Sequence, residues 1–171
     1  MDICSATEAD LPTIQHLACL TWPVAYASIL SPGQLSYMLW NMYSLPILKK
    51  QMTDEGHSFF IGMEGADAIG FAGLSKVEYP LIESKASNPW KLHKLYILPT
   101  AQKTGAGKKL LEYALSFIHS QGGDYLILNV NRQNPTYSYY LKNGFEILES
   151  DDFRIGEGFY MKDYVMGKAL H

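Results

Sequence analysis

The sequence predicts a mixed α/β fold, and three stretches carry the prediction. His93-Lys-Leu-Tyr-Ile-Leu98 reads as an apolar strand that passes through a short Gly-containing turn into an amphipathic helix. Ser58-Phe-Phe-Ile-Gly-Met63 and Ala68 to Val77 flank the turn Glu64-Gly-Ala-Asp67 as two strands of a hairpin. Asp124 to Val130 is a nearly continuous apolar run, as expected of a buried strand. Strand and helix periods alternate along the chain, which is the pattern of a sheet flanked by helices.

The remaining elements follow in order. Asp2 to Thr7 forms a short first strand, and Thr7-Glu-Ala-Asp10 opens a helix. Leu11, Ile14, Leu17 and Ala18 recur at helical spacing, giving a helix to about Leu20 that Thr21-Trp22-Pro23 breaks, with a short second piece to Leu30. Ser31-Pro32-Gly33 starts the next helix, and Ser44 to Met52 continues as another helical segment. Glu78 to Pro89 is a loop, and Trp90 to Leu98 the strand that follows it. Gly107 to Gln121 is a helix burying Leu110, Leu111, Ala114, Leu115 and Ile118, and Gly122-Gly123 stops it. Asn134 caps a further helix with Pro135 at its first position and Gly144 just past its end, so that Tyr137, Tyr140 and Leu141 share one face. Phe145 to Glu149 and Phe159 to Met166 close the chain as strands.

Composition narrows the function. At 171 residues, with 47% hydrophobic and 18% charged residues, the chain is expected to be a single soluble domain spanning residues 1–171. A net charge of −3 argues against nucleic acid as the main partner and mildly favours a cationic substrate. Cys4 and Cys19 form no C-x-x-C or Cys/His ligand cluster, so neither disulfide nor metal is expected, and a reduced cytoplasmic location fits. No apolar run approaches the ~20 residues of a membrane span, so no membrane partner is expected.

The turn after the Trp90–Leu98 strand holds the chemistry. Gln102, Gly105 and Gly107 fit Q/R-x-x-G-x-G/A, with the glycines at the mouth of a helix. Such a turn aims backbone N–H groups and the positive end of a helix dipole at one point, suiting a pyrophosphate. A P-loop is excluded because Gln102 stands for its first Gly and Lys109 for its Ser/Thr. A dinucleotide fingerprint is excluded because Gly105-x-Gly107 is followed by Lys108-Lys109-Leu110 rather than x-x-Gly.

What remains resembles motif A of the GCN5-related N-acetyltransferases (GNAT), and Asn134-Pro-Thr-Tyr-Ser-Tyr-Tyr-Leu-Lys-Asn-Gly-Phe145 resembles their motif B, with Tyr137 in place of the usual Ala. The resemblance implies a mixed, mostly antiparallel sheet flanked by helices in the order β-α-α-β-β-β-α-β-α-β-β. It implies acetyl-CoA as co-substrate and no metal. Backbone groups at Leu95, Tyr96 and Ile97 would receive the pantetheine arm and the thioester carbonyl. Gln102, Lys103, Thr104, Gly105, Ala106, Gly107 and Lys108 would take the pyrophosphate, Asn134 the pantetheine region, and Lys142 the adenosine 3′-phosphate. Tyr140 sits where the family carries its general acid.

A phenol of pKa ~10 suits protonation of a thiolate leaving group of pKa ~8.5. For the base, His93 is the candidate; strict alternation puts it on the sheet face of Leu95, and an imidazole of pKa ~6.5 can accept an ammonium proton. Glu78 and Glu83 are the alternatives, as base or as ligands of a cationic amine. His16, His57, His119 and His171 are read as solvated groups on helices or termini. The segment Trp22–Met52 holds Trp22, Tyr26, Tyr37, Trp40 and Tyr43, which in this architecture cap the acceptor site or form helix core. Trp22-Pro-Val-Ala-Tyr26 resembles an early element of bacterial polyamine acetyltransferases of the Pai type, implying a small amine or polyamine acceptor bound at Trp22 and Tyr26. Rival readings are acetylation of a protein N-terminus or lysine, of an aminoglycoside or amino acid, and acetyl-CoA sensing without turnover. Exposed C-terminal edge strands make a homodimer plausible.

Overall fold

The computed structural model describes residues 1–79, 82 and 85–170. Glu83 and His171 therefore lie outside the described residues. The elements are β1 (Asp2–Ser5), α1 (Leu11–Tyr26), α2 (Pro32–Tyr43), α3 (Leu45–Thr53), β2 (Ser58–Glu64), β3 (Asp67–Lys76), β4 (Pro89–Ile97), α4 (Ala106–Ser120), β5 (Tyr125–Asn131), α5 (Thr136–Lys142), β6 (Glu146–Gly156) and β7 (Phe159–Ala169). The strands are hydrogen-bonded in the order β1-β2-β3-β4-β5-β7-β6. Of these pairings β4–β5 is parallel, while β1–β2, β2–β3, β5–β7 and β6–β7 are antiparallel. This is the mixed α/β architecture expected, with three helices rather than two between β1 and β2.

The chain divides into two compact units, Met1–Ser75 with His93–Phe117, and Lys76–Leu92 with Ile118 onward. In the first, β1 pairs with β2 from Asp2↔Met63 to Ser5↔Phe60, and β2 with β3 from Ser58↔Leu74 to Glu64↔Asp67. Its core is aromatic: Trp22, Tyr43, Phe59, Phe60 and Phe71 are all at most 2% exposed. The Phe60 ring meets Tyr113 and Phe117 of α4 edge-on, at 5.1 and 5.0 Å.

The expected break at Thr21-Trp22-Pro23 does not occur; α1 runs on to Tyr26 with Pro23 inside it. Proline removes an N–H and clashes one turn back, at a cost of about 3 kcal/mol. Trp22 and Tyr26, one turn apart, are both buried, and each such aromatic contributes about 1.5–3 kcal/mol. Their rings lie 4.5 Å apart, and the Trp22 N–H donates to the Tyr43 hydroxyl at 2.8 Å. Tertiary burial outweighs the local penalty. At α2 the local signal suffices: the Ser31 hydroxyl accepts from the Gln34 N–H, with Pro32 in the first turn.

In the second unit the β4–β5 ladder runs from Pro89↔Tyr125 to Leu92↔Leu128, and β5 pairs with β7 from Tyr125↔Ala169 to Asn131↔Asp163. Tyr125 to Leu128 are all buried, as the continuous apolar run requires. Ile82, Tyr125, Ile127 and Val165 form one core cluster. β6 and β7 extend well past the expected Phe145–Glu149 and Phe159–Met166. The added part of β6, an edge strand, sets exposed Asp151, Asp152 and Arg154 around the half-buried Phe153 and Ile155, and this charged stretch masks its alternation. On the short α5, Tyr140 is buried while Leu141 is 43% exposed.

Candidate functional site

The turn entering α4 has the backbone its glycines call for. A 3₁₀ turn at Pro99–Ala101 leads to Gln102, then Lys103 at φ 64° and Gly105 at φ 90°, and α4 begins at Ala106. Gly105 adopts a conformation that L side chains rarely take, and a Cβ there would meet no atom within 4 Å. The surface above Gly105 is open. A Cβ at Gly107 would meet only Ile97 Cγ1, at 3.6 Å. The loop is braced from beneath: Thr104 Oγ1 donates to the Ala101 carbonyl at 2.8 Å, and Gln102 Nε2 to the Ile97 carbonyl at 3.3 Å. Gly107 and Lys108 stand in the first turn of α4, where N–H groups have no acceptor within the helix. The Ala106 N–H donates to Thr104 Oγ1 at 3.4 Å, so the anion-binding concavity that left-handed residues and a helix start make rests on the Gly107 and Lys108 N–H groups. Lys108 is solvent-facing, 3.7 Å from Glu112.

β4 prepares the approach to this turn. Its ladder with β5 covers only Pro89–Leu92, although β4 continues to Ile97. Along His93–Ile97, where Leu95, Tyr96 and Ile97 lie, the backbone on that side has no ladder partner among the described pairings. A Cβ on Gly70 of β3 would overlap the Tyr96 carbonyl at 2.7 Å, so β3 runs tightly beside this segment, with the Leu98 N–H donating to the Ile69 carbonyl at 2.8 Å.

The strand is also irregular, and this corrects the placement of His93. Phe71, Gly73 and Ser75 share one face of β3. The Tyr96 ring lies tilted against Phe71, 5.7 Å between centroids, and a Cβ on Gly73 would meet Lys94 Cδ at 3.3 Å. The Ser75 hydroxyl lies 2.8 Å from His93 Nε2. Consecutive residues His93 and Lys94 thus reach the same side, which alternation forbids, so His93 does not share the face of Leu95. It belongs to the face of Tyr96 and of the α1–α3 aromatics.

That face carries a polar group embedded in aromatic packing. The His57 ring stacks on His93 at 4.3 Å and 20°. His57 was expected to be solvated, yet its side chain is only 8% exposed, held in the segment between α3 and β2. Burial, and next the Lys94 charge, push its pKa down to about 4, against a smaller opposing effect of Glu55. Lys94 is 3% exposed; its Nζ donates to Gln51 Oε1 at 3.0 Å and lies over the Tyr43 and Phe59 rings. Burial lowers the Lys94 pKa to about 8. Sequence reading missed His57, Ser75 and Lys94. The one available signal was parity: His57 precedes Phe59 by two, on the inward side of β2.

Trp22 is 1% exposed and Tyr26 7%, with the Tyr26 and Tyr96 hydroxyls 3.2 Å apart. Burial raises the Tyr43 and Tyr96 pKa values well above the ordinary value, so both phenols remain protonated. Glu78 is exposed at the end of β3, and His16 and His119 are exposed on helices.

Asn134, Tyr140 and Lys142 fall in the second unit. Asn134 Oδ1 accepts from the Thr136 N–H at 3.0 Å and so starts α5, while Gly144 at φ 82° ends it. Tyr140 is 7% exposed, edge-on to Phe145 at 5.4 Å, and Lys142 is exposed. A buried carboxylate here also escaped sequence reading. Asp163 is 7% exposed, and its Oδ1, like Asn129 Oδ1, has no hydrogen-bond partner. Burial raises its pKa to about 6 against the Asn129 hydrogen bond and the charges of Lys91 and Arg132. Among the described residues no group of His, Cys, Asp and Glu could hold a metal, and no helix is long and apolar enough to cross a membrane.

Comparison with known proteins completes the picture. Residues 14–145 match the Acetyltransferase (GNAT) family. The uncharacterized N-acetyltransferase Rv2669 of Mycobacterium tuberculosis is 27% identical over 165 residues, covering 96% of this chain and 99% of the relative. The uncharacterized N-acetyltransferase YuaI of Bacillus subtilis is 27% identical over 94% of this chain and 90% of its own length. Among solved structures, the PaiA N-acetyltransferase of Thermoplasma acidophilum, in complex with coenzyme A, is 25% identical with a TM-score of 0.79, covering 99% of this chain and 98% of that one.

Proposed function

The chain belongs to the acetyltransferase (GNAT) family of acetyl-CoA-dependent enzymes, and from that membership we propose that it acetylates a primary amine of a small cationic molecule, with polyamines the leading class. The observation that carries the reading is the turn Gln102–Lys108, where left-handed Lys103 and Gly105 precede the Gly107 and Lys108 N–H groups in the first turn of α4. A coenzyme A diphosphate fits it: the surface over Gly105 is open, and the donor set is main-chain amide with Lys103 and Lys108 beside it.

Bound acetyl-CoA would supply the thioester acyl donor. The chain's own groups divide the remaining work. Main-chain groups at Leu95, Tyr96 and Ile97, beyond the end of the β5 ladder, would orient the pantetheine arm and polarise the acyl carbonyl. Asn134 would hold the pantetheine region and Lys142 the adenosine 3′-phosphate. His93 would accept the proton that an ammonium must lose before it can attack. Tyr140 would give a proton to the departing sulfur.

A small cationic acceptor is supported by the Trp22-Pro-Val-Ala-Tyr26 element, by the net charge of −3, and by the aromatic face that His93 shares with Tyr96. Trp22 and Tyr26, both buried, would back the acceptor wall, and the exposed Glu78 carboxylate would bind a cationic amine. The test is free-thiol release from acetyl-CoA with a panel of polyamines, aminoglycosides, amino acids and N-terminal peptides. Turnover confined to polyamines and similar small amines supports the reading. Turnover on peptides alone, or none at all, overturns it.

A further inference from the structure

We propose that His57 is a positioning residue that fixes the His93 imidazole by stacking, and that the buried Lys94 ammonium opposes a resting positive charge on the stacked pair, leaving His93 free to receive the substrate's proton. The proposal rests on the reading of His93 as base and adds two residues which that reading does not contain. The geometry is specific. The two rings lie 4.3 Å apart and 20° from parallel, and Ser75 Oγ is 2.8 Å from His93 Nε2. Stack and hydrogen bond together define the ring plane and its rotation, leaving the imidazole little freedom.

His57 contributes its face rather than its nitrogens. Nδ1 has no hydrogen-bond partner, and Nε2 comes no nearer than 3.9 Å to Glu55, beyond hydrogen-bond range. The electrostatic surroundings come from every neighbouring element. The segment between α3 and β2 supplies Glu55, which is held at 2.9 Å by Lys50 of α3. β4 supplies His93 and Lys94, and Lys94 is hydrogen-bonded to Gln51 of α3. β3 supplies Ser75, which does not titrate, and α2 supplies Tyr43, a phenol that stays protonated. Glu55 is thus committed to Lys50, while the buried Lys94 cation acts on His57 with little screening. Two imidazoles at this separation do not both carry charge, and Lys94 opposes the first charge as well. The arrangement favours a neutral base, the form that can accept a proton from the acceptor ammonium.

The test combines kinetics with spectroscopy. The pH profile of kcat/KM is measured for wild type, His57→Ala, His57→Phe and Lys94→Met. His57→Ala should lower kcat about tenfold or more with the KM for acetyl-CoA unchanged, and His57→Phe, which keeps a stacking face, should restore most of it. Lys94→Met should move the acid limb to higher pH, because the opposing cation is gone. Equal losses in His57→Ala and His57→Phe with an unmoved acid limb in Lys94→Met would overturn the proposal. NMR titration of the His93 ring in wild type and Lys94→Met needs no turnover, so it separates the two readings. If no amine is acetylated, His93 fails as base, yet a higher His93 midpoint in Lys94→Met still supports the electrostatic assignment, and an unchanged midpoint refutes it. Should His57→Ala not fold, His57→Gln takes its place and is expected to lose turnover as His57→Ala does.

Discussion

The Trp22 indole N–H donates to the Tyr43 hydroxyl at 2.8 Å, a buried bond that ties α1 to the end of α2 just before Pro23. Both partners are 1% exposed, so removing one leaves the other unsatisfied in an apolar surround. Tyr43→Phe is therefore expected to cost about 1–3 kcal/mol, the desolvation penalty of an unpaired donor. Urea unfolding monitored by Trp fluorescence checks this. A change below a few tenths of a kcal/mol would mean that the bond has no net worth.

Gly105 separates folding from binding. With its φ of 90° and open space above it, a side chain there would meet no protein atom and, if the turn holds the diphosphate, would meet the coenzyme instead. Gly105→Val is expected to weaken coenzyme A binding at least tenfold, with a backbone strain cost of about 1–2 kcal/mol in stability. Calorimetry and thermal melting on the same sample measure both.

Tyr140→Phe keeps the edge-on packing against Phe145 and removes only the hydroxyl. If Tyr140 protonates the leaving sulfur, turnover should fall roughly 10²-fold while acetyl-CoA affinity holds. Equal losses in kcat and in affinity would make the residue structural.

Asp163 gives stability a pH signature. Its folded pKa of about 6 lies above the ordinary 3.8, so between those values the folded chain holds a proton that the unfolded chain releases. Its contribution is complete below about pH 4 and is lost as pH rises through 6. Asp163→Asn mimics the protonated acid. It should be more stable than wild type above pH 6, by about 1–3 kcal/mol, with the gap closing near pH 4. Urea midpoints at pH 4 and pH 8 decide; a constant gap would assign the effect to packing rather than ionisation.

The parts legible in the sequence were those fixed by local chemistry. The Gly105 turn, the Ser31 cap, the β2–β3 hairpin and the buried run of β5 each announce themselves within a few residues. The parts that were not legible depend on distant partners. Nothing near Pro23 says that Trp22 will be anchored by Tyr43, so the continuation of α1 was hidden. The β4 irregularity at His93 and Lys94 arises from packing on Ser75 and Gly73, and the His57–His93 stack joins residues far apart in the chain. β6 beyond Glu149 mixes exposed Asp151, Asp152 and Arg154 with half-buried Phe153 and Ile155, so its pairing with β7 rather than its composition defines it.

Main-chain donors between Gln102 and Lys108 are proposed to grip the diphosphate of coenzyme A, and calorimetry reads that grip as heat. Wild-type protein titrated with coenzyme A should release heat with one-to-one stoichiometry. Pantetheine, which lacks the diphosphate, should bind at least tenfold more weakly. Equal affinity for the two, or no heat from folded protein with coenzyme A, would contradict the account.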